Sequence, residues 1–304
     1  MTALIYPGAV NALNGESGGG KSWIALAAAA QTIAAAGTVV FIDLEDTAAS
    51  IVHRLRALGV PDDLIRTQFV YLRPDQPLGP EAALDLDQHA ARADLIIIDS
   101  IGELMALQGV KPNDDDAVAR FYRAIPRALC RNGAAVLLID HVPKNNENSP
   151  LYGIGSQRKR AAIDGASYMV QTVRAFAKGR PGTVKLVVAK DRHGTRATGT
   201  IAAVADIAGD DQAVTIDLHE PERLDDGRTR PTHNMTRIAD ALRAAGSASI
   251  TELRGAGVRG ADIPGALDAL IAEGYVARIE TAGKPLRYRL NRPFGIDLET
   301  RAPE

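Results

Sequence analysis

Between the N-terminus and about Ala205, short runs of Val, Ile and Leu alternate with longer, Ala-rich stretches of helical spacing. A strand buried on both faces has no polar side to show, so it reads as a continuous apolar run, and parallel strands need a crossover of helical length between them. The runs at 38–44, 69–72, 95–99, 134–139, 166–173 and 184–189 are therefore the expected strands, with one more just ahead of Gly15. The stretches 23–36, 48–58, 80–91 and 116–131 have the length of crossover helices. The pattern predicts an α/β domain built on a parallel sheet, occupying residues 1–219.

The pattern breaks at 220–231, where Pro221, Asp225, Asp226, Gly227 and Pro231 predict a linker. A second, small domain is expected over 232–293. Thr232 can cap a helix running to Ala245, a short helix follows at 251–255, and a third at 262–273 is closed by Gly274. Strands at 275–280 and 286–291 flank a turn at 282–285, which completes the order of a winged helix-turn-helix; residues 294–304 form a tail.

Composition narrows the picture. At 304 residues and 46% apolar, the chain exceeds one ordinary domain and can bury a substantial core. Lys and Arg (35) nearly balance Asp and Glu (37), so no global field points to nucleic acid and any basic site must be local. The single cysteine, Cys130, excludes an intrachain disulfide and fits a reducing cytoplasm. No apolar run reaches 18 residues and no leader pattern opens the chain, so a soluble, cytoplasmic protein without a membrane partner is expected.

The chemistry begins at Gly15-Glu16-Ser17-Gly18-Gly19-Gly20-Lys21-Ser22, which fits G-x-x-x-x-G-K-[ST] directly ahead of an Ala-rich helix. Glycines allow the positive φ angles that turn backbone N–H groups inward, so loop and helix N-terminus form a nest for phosphates. ATP and Mg²⁺ are the expected ligands, with Lys21 on the β and γ phosphates and Ser22 on the metal. The run ending in Asp99 would set a second metal-holding carboxylate at the sheet's C-terminal edge. The run ending at Asp43 continues into Glu45, the candidate general base; the alternative is that Glu45 or Asp46 only caps the next helix. His141, at the end of another strand, is a candidate γ-phosphate sensor, against a purely structural role.

Taken together, GESGGGKS at 15–22, DLEDTAASIVHRL with Glu45, LIIIDS with Asp99, LLIDH with His141 and AKDRHG at 189–194 resemble the RecA-like P-loop ATPases, and within them the hexameric replicative helicases of the plasmid RepA and DnaB type. The resemblance spans roughly residues 1–205. It implies a RecA-like P-loop NTPase core, a homo-oligomer in the form of a hexameric ring, and single-stranded DNA in a central channel. It further implies that Lys190 and Arg192 reach across a subunit interface to a neighbour's γ phosphate, where a cation stabilises transition-state charge. The bland reading of 189–194 is a charged turn.

The polar stretch 143–164 carries Lys144, Arg158, Lys159 and Arg160 at the place where RecA-like motors have a DNA-contacting loop; a solvated basic turn is the alternative. Between 228 and 292 cations outnumber acids, although the whole chain is at −2. The helix at 262–273 has almost no side chains that read bases, so base-specific contact, non-specific contact and protein docking all stay open for this domain. The leading expectation is a DNA-dependent motor ATPase of the replicative-helicase kind. The alternatives are a RecA-like recombination or repair accessory ATPase and an ATP-switched DNA-binding regulator.

Overall fold

The computed structural model describes residues 4–142, 157–221, 230, 232–258, 260–280 and 285–294. The chain divides into two compact units, Met1–Glu220 and Pro221–Glu304.

In the first unit the order is β1 (Val10–Gly15), α1 (Lys21–Ala34), β2 (Val39–Asp43), α2 (Ala48–Ala57), α3 (Asp62–Gln68), β3 (Phe69–Leu72), α4 (Pro80–Ala90), β4 (Leu95–Asp99), α5 (Ile101–Leu107), α6 (Asp115–Ala124), α7 (Pro126–Leu129), β5 (Ala135–His141), α8 (Gln157–Ala162), β6 (Ala166–Arg174), β7 (Gly182–Asp191), β8 (Ile201–Gly209) and β9 (Val214–His219). The strands form one nine-stranded sheet in the order β3-β2-β4-β5-β1-β6-β7-β8-β9. From β3 to β6 every pairing is parallel, and β7, β8 and β9 add on antiparallel.

The sheet is covered on both faces, as the apolar runs require. Val39 and Phe41 of β2 pack with α1, α2 and α3 through Ile24, Ile51, Leu55 and Ile65. Val40 and Ile42, one residue out of step, pack on the other face with α4 to α7 through Leu86, Leu104, Phe121 and Leu129. This is the two-residue period of a strand. Ile96, Ile97 and Ile98 are fully buried, and side chains of this size stabilise by about 1.5–3 kcal/mol each when removed from water. The strand ends that carry polar side chains thus project from a rigid base.

The expected helix at 116–131 is two pieces. Ile125 leaves helical geometry at φ −118°, ψ −78°, and Pro126 starts α7. Proline lacks the N–H for the preceding turn and its ring clashes there, which ends α6. The purely parallel sheet is also corrected. β8 mixes buried, half-buried and exposed positions and β9 alternates half-buried and exposed ones, so neither offers a continuous buried run and the sequence pattern passes over them. Among the described residues no helix is long and apolar enough to cross a membrane.

The second unit contains α9 (Thr232–Ala245), β10 (Ala248–Ser249), α10 (Ile250–Leu253), α11 (Ile263–Ala272), β11 (Val276–Ile279) and β12 (Arg287–Leu290), with a three-stranded antiparallel sheet in the order β10-β12-β11. Met235, Ile238, Leu242, Leu253, Leu267, Leu270 and Tyr288 fill its core. The short α10 is held by a capping box: the Ser249 side chain accepts from the Glu252 N–H, and Glu252 reaches back to the Ser249 N–H. Residues 282–284 of the expected turn, most of the expected linker (222–229 and 231) and the tail from 295 lie outside the described residues.

Candidate functional site

β1 ends at Gly15, and the chain turns through Glu16–Gly20 into α1. Gly18 and Gly20 have φ of +72° and +91°, which L side chains rarely adopt. A Cβ on Gly15 would sit 2.8 Å from the Val170 carbonyl oxygen, and one on Gly19 2.9 Å from that of Glu16. The loop is therefore glycine by necessity. Its helix starts with no side-chain cap and no acid in its first turn, so the first-turn N–H groups face an anion site. Lys21 is buried and donates to the carbonyls of Gly15 (2.9 Å) and Glu16 (2.8 Å). Burial lowers its pKa, and the carboxylates of Asp99, Glu45, Asp140 and Glu16 oppose that shift.

Parallel register brings the other groups to the same edge. Asp43 pairs with Asp99 across β2 and β4, Asp99 with Ile139 across β4 and β5, and Gly15 with His141 across β1 and β5. The Ser22 hydroxyl donates to Asp99 Oδ2 at 2.7 Å. Asp99 Oδ1 is buried with no hydrogen-bond partner among the described residues. Burial, reinforced by Glu45 and Asp43, pushes the Asp99 carboxyl up to about 6, while the Ser22 hydrogen bond and Lys21 pull it down. A carboxylate destabilised in this way, beside a hydroxyl and below a phosphate cradle, suits a hard cation with oxygen ligands. Ser22 and Asp99 would hold Mg²⁺, and the loop with Lys21 would hold the triphosphate of ATP.

Glu45 and His141 meet, with Glu45 Oε1 2.7 Å from His141 Nε2. Lys21 Nζ lies 3.3 Å and Ser17 Oγ 3.2 Å from the other ring nitrogen, Nδ1. An ammonium can only donate, so Nδ1 accepts and Nε2–H donates to Glu45. The helix after Glu45 is capped by Thr47, which accepts from the Ser50 N–H. Asp46 takes the Thr47 N–H and the Ser50 hydroxyl and pairs with Arg54. Glu45 is thus spared capping duty. Asp43, buried, accepts the N–H groups of Glu45 and Asp46 at 2.9 Å each and the Tyr71 hydroxyl at 2.9 Å. It shapes the turn that presents Glu45. Sequence reasoning missed Asp43 in this role, although an Asp two residues before the turn residue is a readable sign of such a turn. Tyr71 carried no such local sign, whereas Asp140, like Asp99, closes an apolar run.

The remaining expected residues fall elsewhere. Lys190 and Arg192 lie where β7 meets the start of β6, since Ala166 pairs with Asp191. Gly15 sits against Val170, four residues along β6, so its own loop is on the order of 13 Å away. Arg192 is exposed. Its turn is fixed by Asp191, which accepts the Tyr6 hydroxyl and the N–H groups of His193 and Arg196. Lys190 instead donates to the carbonyls of Arg160, Ala161 and Ile163.

Of the expected DNA contacts, Arg158 and Arg160 are exposed on α8 and Lys144 lies outside the described residues. Lys159 is corrected: it is buried and ion-paired with Asp140 at 2.5 Å, because its side chain points from α8 towards the end of β5. In the second unit, Arg230 pairs with Glu273, Arg287 with Glu252 and Arg278 with Asp268, while Arg254 and Arg289 are exposed.

Asp99 gives a pH prediction. Its folded pKa of about 6 stands above the ordinary 3.8, so the proton is held more tightly in the folded chain. The stability it contributes is complete below about pH 4 and lost as pH rises through 6. Asp99→Asn, neutral throughout, is expected to melt a few degrees above the wild type at pH 8 in metal-free buffer. That advantage should vanish at pH 4, which calorimetry can measure.

Residues 1–147 match the family described as "AAA domain". The chain is 30% identical over 149 residues to "Protein RecA 1" of Myxococcus xanthus, covering 45% of this chain and 41% of that protein. It is 28% identical over 146 residues to "Protein RecA" of Deinococcus radiodurans, covering 44% and 38%. The matched segment is thus about two fifths of each relative's length. These matches, with the large and mostly parallel sheet, support a RecA-like P-loop ATPase core.

Proposed function

We propose that the protein hydrolyses ATP in a DNA-dependent way, as a homo-oligomer whose active sites are completed across subunit interfaces, and that it is a replicative-helicase-like motor. The observation carrying this reading is the convergence of Lys21, the Ser22–Asp99 pair and the Glu45–His141 pair around one glycine loop at the sheet's C-terminal edge. Bound Mg²⁺ would neutralise phosphate charge. Glu45 accepts a proton from the attacking water as its oxygen bonds to the γ phosphorus and the bond to the bridging oxygen breaks. Lys21 turns from the loop carbonyls to the phosphates, and His141, which touches both Lys21 and Glu45, reports the state of the γ phosphate to the base.

Arg192 supports the oligomeric part, because it is exposed and remote from its own loop while its turn is firmly held. The hexameric ring and the channel for single-stranded DNA rest on the motif resemblance and on Arg158 and Arg160. The order α9, α10, α11, β11, β12 with β10 on the sheet supports a winged helix-turn-helix reading of the second unit. Its internal ion pairs, Arg287 with Glu252 above all, favour non-specific contact or protein docking over base reading.

A second reading, a RecA-like recombination or repair ATPase, is favoured by the name both relatives carry. ATP hydrolysis with and without single-stranded DNA tests the shared core of both. Stimulation at least tenfold, weakening with salt, is expected; a rate that DNA leaves unchanged would remove the motor. Strand displacement then separates the two readings.

A further inference from the structure

The ion pair between Lys159 and Asp140 lies beside the candidate site. Its side chains are only 10% and 11% exposed. A buried pair repays its desolvation no better than apolar packing would, so a core position alone does not call for it. Its connections do. Asp140 Oδ2 takes Lys159, and Oδ1 accepts the backbone N–H of His141 at 3.1 Å. One carboxylate is therefore held by α8 through one oxygen and holds His141 through the other. His141 in turn meets Glu45 and Lys21. The far end of α8 is tied as well, by Lys190 on the carbonyls of Arg160, Ala161 and Ile163.

We propose that Lys159 and Asp140 are positioning residues for His141 and, through its ring, for Glu45, with α8 as the strut that carries them; this rests on the reading of Glu45 as the base. Both act through His141 rather than on the nucleotide. Lys159 fixes the Asp140 carboxylate, Asp140 fixes the strand end, and the strand end sets the ring that holds Glu45 in line.

The test uses the full chain with Lys159→Met, Lys159→Arg and Asp140→Asn. The readouts are the imidazole NMR signal of His141, assigned by its loss in His141→Asn, together with thermal melting, affinity for a fluorescent ATP analogue and kcat. Lys159→Met is expected to move the His141 signal towards that of a solvent-exposed histidine. It should also lower kcat about tenfold or more, with nucleotide affinity within about twofold. Lys159→Arg should recover both, and Asp140→Asn should copy Lys159→Met. A Lys159→Met protein with an unmoved His141 signal overturns the proposal. So does one whose affinity and kcat fall together in step with its melting temperature. If Lys159→Met fails to fold, Asp140→Asn and Lys159→Arg decide by the same criteria. A shifted His141 signal in a protein whose wild type turns over no ATP would uphold the positioning pair and reject the hydrolysis.

Discussion

Glu45→Gln is expected to lower kcat for ATP hydrolysis by about 10²- to 10⁴-fold while leaving nucleotide affinity nearly intact. The amide keeps the size of the side chain and can still meet His141, but it cannot take the proton of the attacking water. Binding depends on groups the substitution leaves alone: the glycine loop, Lys21 and the Ser22–Asp99 pair. The turn before α2 should survive too, because Asp43 and Thr47 build it without the Glu45 side chain. Equilibrium binding of a fluorescent ATP analogue and steady-state phosphate release measure the two halves. A variant that loses binding with turnover would make Glu45 a structural residue.

Arg192→Ala is expected to cost about 10³- to 10⁵-fold in turnover, the scale of a cation supplied in trans to the transferring phosphoryl group. The loss should appear without unfolding, since Arg192 is exposed and the turn is fixed by Asp191 and Tyr6. Wild-type turnover per subunit should rise with protein concentration as subunits assemble, and Arg192→Ala should stay low at every concentration. Near-normal hydrolysis by dilute wild-type protein would place the whole site within one chain.

The phosphate loop, Asp99 and the Glu45–His141 edge were legible because each follows a local rule: glycines at a fixed spacing before a helix, or a polar residue ending an apolar strand. The parallel strands were legible for the same reason, as Leu95–Asp99 shows. β8 escaped because most of its residues are small, whereas β9, whose Val-Thr-Ile-Asp-Leu-His alternates apolar and polar residues, was readable and went unused. Pro126, which splits the expected long helix, was readable and went unused. Lys159 was misread for a different cause. Sequence shows a cation in a polar stretch and cannot show that its partner, Asp140, waits at the end of β5. Asp43 lies between these cases, a local turn former hidden behind the more conspicuous Glu45.

The most direct test of a site shared between subunits mixes two proteins that are each inactive, Glu45→Gln and Arg192→Ala. In a random co-assembly about one interface in four joins an intact Glu45 on one subunit to an intact Arg192 on the next, since the interface is head-to-tail. Hydrolysis by the mixture is therefore predicted to recover to roughly a quarter of the wild-type rate, far above the sum of the two alone. A mixture no more active than its components, although co-assembly is verified by light scattering, would contradict the shared site.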